Sequence, residues 1–307
     1  MGKGVQVIEP LADAEAAFLR YEAVRARLPA ARFAAAPVFA RDLGEVADRW
    51  DGFVLDAYGV LNVGETAIPG AVARMAALRA RGKRLCVLTN AASYSRAEAL
   101  AKYRRLGFDF TADEVVSSRD VAMARIGAMI PGAHWAAIAA AGDSFADVPG
   151  RVGDAVADPG LFERADAVLF LSSQRWTAGL QARLVAALAR RPVPVVVANP
   201  DLVAPVEGGL SQEPGLFAHH LLDAVGGEVH WFGKPFGEGF VDVFARMGLP
   251  PDRLAMVGDT LHTDVLGGRA AGMGAVLVAD HGLFAGRDVR GYIARSGIVP
   301  DAVVATT

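Results

Sequence analysis

The chain has 307 residues, 53% of them hydrophobic and 21% charged, with a formal net charge of −3. Such a composition buries a sizeable core and excludes bulk disorder, while the charge balance excludes a strongly basic nucleic-acid surface. A single cysteine excludes an internal disulfide framework, which fits a reducing, cytoplasmic setting, and no apolar run approaches the ~18 residues of a membrane span.

At the N-terminus Glu9, Asp13 and Glu15 interrupt anything resembling a signal-peptide core. Phe18, Tyr21, Val24 and Leu28 then recur at helical spacing among Arg and Glu, so residues 11–29 read as an amphipathic helix packed on the main domain. Strand and helix signals alternate after it. Phe53–Asp56 reads as a buried strand. Pro69-Gly70 opens a helix carrying Val72, Met75 and Leu78 that stops at Gly82. The next strand, Arg84–Leu88, holds Cys86 as a buried thiol. Ser95–Gly107 is a helix with a capping box of Ser95 and Glu98, and Val115-Val116 is a short strand.

The middle of the chain repeats this alternation with strands at 135–140, 167–171 and 193–198 and helices at 177–190 and 215–225. The pattern then returns to its first form: strands Val229–Phe232 and Leu254–Val257, a helix over 264–272, and strand Ala275–Ala279. Short links between alternating strands and helices imply parallel sheets with right-handed crossovers. The fold class is therefore α/β, with residues 119–228 forming a lobe inserted between residues 1–118 and 229–307.

Four strand ends carry polar residues: Asp56, Thr89-Asn90, Lys234 in Gly233-Lys234-Pro235, and Asp259 in Gly258-Asp259-Thr260 with Asp264 beyond it. In an open parallel sheet these ends converge on one edge, where such folds bind ligands. Taken singly, each is as readily a turn, a helix cap or a surface group. The ordered set of four is what points to a site. Hard carboxylate oxygens at Asp56 and Asp259 suit Mg²⁺, with Asp264 ligating directly or orienting the others. Lys234 neutralises phosphoryl oxygens and keeps a carboxylate nucleophile ionised, and Thr89 and Asn90 donate hydrogen bonds to the same oxygens. His262 falls in the fourth of these loops, where a solvated position is the expectation.

The segments Asp56-Ala57-Tyr58-Gly59-Val60, Leu88-Thr89-Asn90, Gly233-Lys234-Pro235 and Gly258-Asp259-Thr260 with Asp264 resemble the motifs of the haloacid dehalogenase-like (HAD) hydrolase superfamily. The insertion between the second and third motifs, together with Asn199-Pro200-Asp201 inside it, resembles the class IIA branch of NagD-like and p-nitrophenyl-phosphatase-like enzymes. The resemblance covers roughly residues 50–285. It implies a Rossmann-like HAD core with an inserted α/β cap, and a Mg²⁺-dependent hydrolase of small phosphorylated metabolites acting through an aspartyl-phosphate. Asp56 would be nucleophile and metal ligand, and Tyr58 would give its backbone carbonyl to the metal. Thr89, Asn90 and Lys234 would hold phosphate, Asp259 and Asp264 would hold the metal, and Asn199 and Asp201 would lie where the cap closes over substrate. A homodimer through the cap is also implied.

Tyr58 departs from the family pattern, which places an Asp there as proton donor and acceptor. An ordinary phenol, with pKa near ~10, is a poor shuttle at neutral pH, and losing general acid–base help typically costs about 10²–10⁴-fold. The expectation is slow turnover of alkyl phosphates and a smaller penalty for aryl and acyl phosphates. Two other readings stay open: a phosphate-ligand binding or regulatory protein with little turnover, and a dehalogenase-type hydrolase. The second is opposed by the short Tyr58–Thr89 interval and by the retained acidic pair Asp259 and Asp264.

Overall fold

The computed structural model describes residues 8–307. Its larger sheet has seven strands in the order Val38–Asp42, Ala302–Thr306, Gly274–Val278, Leu254–Gly258, Gly52–Leu55, Arg84–Thr89 and Val115–Ser117. Every neighbouring pair is parallel. The central strands are buried along almost their whole length, as expected of a parallel sheet covered by helices on both faces. One face packs Trp50, Phe53, Leu55, Met75 and Leu78. The other packs Val54, Cys86, Leu88, Phe240 and Met256. Cys86 is buried, and burial pushes its thiol up to about 12.

The second sheet has five parallel strands in the order Val229–Trp231, Val195–Val197, Ala167–Phe170, His134–Ile138 and Arg151–Asp154. It forms the inserted α/β cap. Two features differ from the sequence reading. Strand Val229–Trp231 pairs with Val195–Val197 in the cap sheet, so the chain returns to the core only at the Lys234 loop. At the other boundary, helix Ser118–Met129 packs on the core strand Val115–Ser117 and the core helix Glu238–Met247. Parallel βαβ units satisfy either lobe equally well, so local pattern identifies the strand but not its sheet.

The N-terminal helix spans Ala14–Ala23, capped by Asp13, whose side chain accepts from the Ala16 N–H. A single 3₁₀ turn at Arg25–Arg27 follows, so the helix is shorter than its periodicity predicts. It lies across both lobes. Toward the core, Phe18 packs in the cluster containing Leu261, Phe284 and Tyr292, and Glu22 meets His262 at 2.5 Å. Toward the cap, Arg20 and Arg27 pair with Asp223 at 2.6 and 2.5 Å. The buried Tyr21 hydroxyl accepts from the Leu202 N–H at 3.1 Å. The helix over 71–80 buries Met75 and Leu78 as expected, but Val72 faces solvent. Among the described residues no helix is long and apolar enough to cross a membrane.

Candidate active site

Register brings the four polar strand ends together. Leu55 is paired with Val257 on one side and Val87 on the other, so Asp56, Gly258-Asp259 and Thr89 emerge at the same end of the sheet. The cap closes over this end and leaves a cleft of about 880 Å³, lined by Asp56, Tyr58, Thr89, Asn90, Asp201 and Asp259 among others.

Lys234 sits at the base with 1% of its surface exposed. Its Nζ lies 2.7 Å from Asp56 Oδ1 and 2.7 Å from Asp264 Oδ1. Burial alone would drive such an ammonium to lose its proton. The carboxylates of Asp264, Asp56 and Asp201 outweigh that and hold it above its ordinary range. Asp264, fully buried, accepts from the Thr260 N–H with its second oxygen at 3.1 Å. It belongs to a single wide turn of π-helix, Leu261–Val265, which starts three residues before the helix expected from sequence. Such turns recur at functional sites.

Asp259 accepts from the Leu283 N–H at 2.7 Å and the Thr260 hydroxyl at 3.1 Å. Burial first, then the charges of Asp264 and Asp56, push its carboxyl up to about 8. Asp56 accepts from the Ala57 N–H at 2.7 Å. Burial and the Asp264 charge raise it to about 6 against the pull of Lys234. Gly59, at φ 74°, makes this crowding possible, since a Cβ there would stand 2.7 Å from the Asp259 side chain.

Carboxylate oxygens of Asp56, Asp259 and Asp264 all lie within 4.8 Å of one another. Three carboxyl groups crowd round one ammonium, and their mutual repulsion is what a bound cation would relieve. The donor set fits a small hard divalent cation such as Mg²⁺.

Thr89 Oγ1 accepts from the Ala91 N–H at 3.1 Å, which leaves its own O–H to donate into the cleft. Asn90 is employed differently from the expectation that it donates to phosphate. Its Nδ2 donates to the Lys234 carbonyl and to Asp201 Oδ1, both at 2.9 Å, and its Oδ1 accepts from the Lys234 N–H at 2.7 Å. The side chain thus fixes the Lys234 loop and joins the core to the cap. Asn199 Oδ1 accepts from the Asp201 N–H at 3.0 Å, a side-chain turn, and its Nδ2 donates to Glu213 at 2.9 Å. Asn199 therefore shapes the loop, and Asp201 is the one that reaches the core. Burial raises Asp201 well above the usual carboxylate range despite the nearby Lys234.

His262 corrects the expectation of a solvated loop residue. It is buried beneath the N-terminal helix, stacked on Tyr21 with ring centroids 4.9 Å apart. Sequence reasoning also missed Lys102. In its helix it reads as one of several surface cations, yet it is 7% exposed and its Nζ reaches the Tyr58 hydroxyl at 3.2 Å.

Residues 53–144 match the family described as haloacid dehalogenase-like hydrolase, and residues 231–306 match its HAD-hydrolase-like partner. A glycerol-3-phosphate phosphatase of Gallus gallus is 32% identical over 277 residues, covering 83% of this chain and 88% of that protein. The chain belongs to the haloacid dehalogenase-like hydrolase family. Among solved HAD structures, a possible sugar phosphatase from Cytophaga hutchinsonii superposes with a TM-score of 0.76 at 26% identity, covering 89% of this chain and 98% of that one. A glycerol phosphate phosphatase from Mycobacterium tuberculosis in complex with magnesium superposes with a TM-score of 0.66 at 26% identity, covering 84% and 75% respectively. The core sheet and the inserted cap described above are thus those of a HAD hydrolase.

Proposed function

We propose that this HAD hydrolase is a Mg²⁺-dependent phosphatase of small phosphorylated metabolites. The observation that supports it best is the convergence of Asp56, Asp259 and Asp264 on Lys234 at the floor of a cleft closed by the cap. Asp56 is the nucleophile: it is the most exposed of the three carboxylates, with 15% of its side chain accessible, and it heads the strand end under the cleft. Its attack on phosphorus forms an aspartyl-phosphate and expels the alcohol, and water then releases phosphate. Lys234 holds Asp56 ionised and faces the phosphoryl oxygens, while Thr89 donates its hydroxyl to them. Asp56, Asp259, Asp264 and the main-chain carbonyl of Tyr58 would hold the Mg²⁺. When bound, that ion offsets the repulsion between the carboxylates and an incoming phosphate. Asp201, reaching down from the cap loop, keeps the cleft closed around the substrate.

The test is p-nitrophenyl phosphate and acetyl phosphate hydrolysis, with and without Mg²⁺, in wild type and Asp56→Asn. Mg²⁺-dependent release should fall by at least about 10³-fold in the variant, as expected when a covalent nucleophile is removed. Phosphate binding by calorimetry with no release from wild type would instead leave a ligand-binding protein.

A further inference from the structure

Tyr58 lines the cleft two residues from Asp56, and its hydroxyl is not simply a wall. Lys102 Nζ lies 3.2 Å from it, and also 2.8 Å from a carboxylate oxygen of Glu65, at the turn of a small hairpin formed by the antiparallel strands Asn62–Val63 and Thr66–Ala67. The ammonium stands 4.8 Å from the centre of the Tyr58 ring and 5.6 Å from that of Tyr94. An ammonium has three donors and no acceptor. The Tyr58 oxygen must therefore accept from Lys102, and the phenolic proton is left for a group other than Lys102. A lysine buried to this degree is uncommon, and its placement against a cleft-lining phenol needs a reason.

We propose that Tyr58 is the proton donor and acceptor of the reaction and that Lys102 is the positioning residue that makes a phenol serve in that role. The proposal rests on the phosphatase reading of the same cleft. In the first half-reaction Asp56 bonds to phosphorus, the phosphorus–ester oxygen bond breaks, and the departing oxygen takes the phenolic proton. The tyrosinate so formed is held by the Lys102 ammonium. In the second half-reaction water attacks the aspartyl-phosphate, gives its proton to the tyrosinate, and the Asp56–phosphorus bond breaks. Phosphate leaves and both side chains return to their starting states.

The relative acidities agree with this assignment. An aliphatic alcohol is a weaker acid than a phenol, so the first transfer runs downhill.

The experiment compares p-nitrophenyl phosphate with glycerol phosphate for wild type, Tyr58→Phe, Lys102→Met and Lys102→Arg, with Mg²⁺ present and folding checked by thermal melting. Because kcat/KM reports steps up to departure of the alcohol, and nitrophenolate leaves without a proton, the two substrates separate the donor role from general damage. For Tyr58→Phe, kcat/KM toward glycerol phosphate should fall about 10²–10⁴-fold, the usual worth of a general acid. Its kcat/KM toward p-nitrophenyl phosphate should hold within about 3-fold while kcat and KM fall together, since only the second half-reaction is slowed. Lys102→Met should show the same split more weakly, and Lys102→Arg should recover most of it. If wild type releases nitrophenolate but the variants lose both substrates equally, or neither, the proposal is overturned and the phosphatase reading stands. If wild type releases nothing, that reading fails and the proposal goes with it.

Discussion

Replacing Lys234 by Met tests whether the floor of the cleft is held by charge. The substitution keeps the stem of the side chain and removes an ammonium with 1% exposure that makes two 2.7 Å ion pairs. Breaking a buried pair typically costs about 3–5 kcal/mol, because the stranded charge stays buried. For proteins somewhat smaller than this one each kcal/mol moves Tm by about 2–4 °C, which gives a loss of roughly 6–20 °C near pH ~8 without metal. The pH dependence is diagnostic. Asp56 and Asp259 stand at about 6 and about 8 even with Lys234 present. On acidification these carboxyls take up protons and replace the missing cation. At about pH 5.5 the loss should shrink to less than roughly half. Mg²⁺ should stabilise the variant as well, by ~2.7 kcal/mol at about a hundred times its dissociation constant. Melting curves at the two pH values decide the matter. A loss under about 1 kcal/mol at the higher pH, or one that persists unchanged at the lower, would refute the reasoning.

His262 is buried and its imidazole is held down to about 4 from an ordinary 6.5, burial outweighing its Glu22 partner. The folded state therefore keeps it neutral, and its contribution is present above pH ~6.5 and lost as pH falls toward ~4. By about pH 5 the loss is about 2 kcal/mol, so His262→Gln should reduce the urea-measured stability difference between pH ~7 and ~5 by that amount; an unchanged difference would remove the argument. Arg119, 2% exposed, meets Asp143 at 2.6 Å and Asp147 at 2.7 Å where the core passes into the cap. Arg119→Met should cost about 3–5 kcal/mol in denaturant melts, and a cost below about 1 kcal/mol would show that the carboxylates escape to water. Asn90→Ala removes the bonds that tie the Lys234 loop to Asp201. It should lower phosphatase turnover while leaving the buried Cys86 as unreactive to thiol reagents as in wild type, and unchanged turnover would show that the loop holds its place without the tether.

Much of this was legible in the sequence because buried parallel strands are written as uninterrupted apolar runs. Gly52–Leu55, Arg84–Thr89 and Leu254–Gly258 each end where a polar residue begins, and in such a sheet that boundary is the ligand edge. The capping box at Ser95 and Glu98 formed as its spacing requires. Strand Val38–Asp42 escaped notice because it is a sheet edge with charged and exposed positions, paired only with Ala302–Thr306 from the far end of the chain. Lys102 was invisible for a different reason. Its burial comes from Tyr58, Tyr94 and the Glu65 hairpin, which no local pattern links to its helix. The same holds for Asn90, whose sequence neighbours give no hint that it is committed to Lys234 and Asp201.

The N-terminal helix gives the enzyme a tie between lobes that contributes no group to the chemistry. For the cap to lift, either Arg20 and Arg27 must leave Asp223 and Tyr21 must leave Leu202, or Glu22 must leave His262. The two arginine pairs are partly exposed and hold weakly, about 0–1 kcal/mol each, whereas Tyr21 and His262 are buried, so the helix joins the lobes through both kinds of contact. Because these contacts lie away from Asp56, Asp259, Asp264 and Lys234, mutating the helix alters how the lobes are joined without touching the carboxylates or the ammonium of the site.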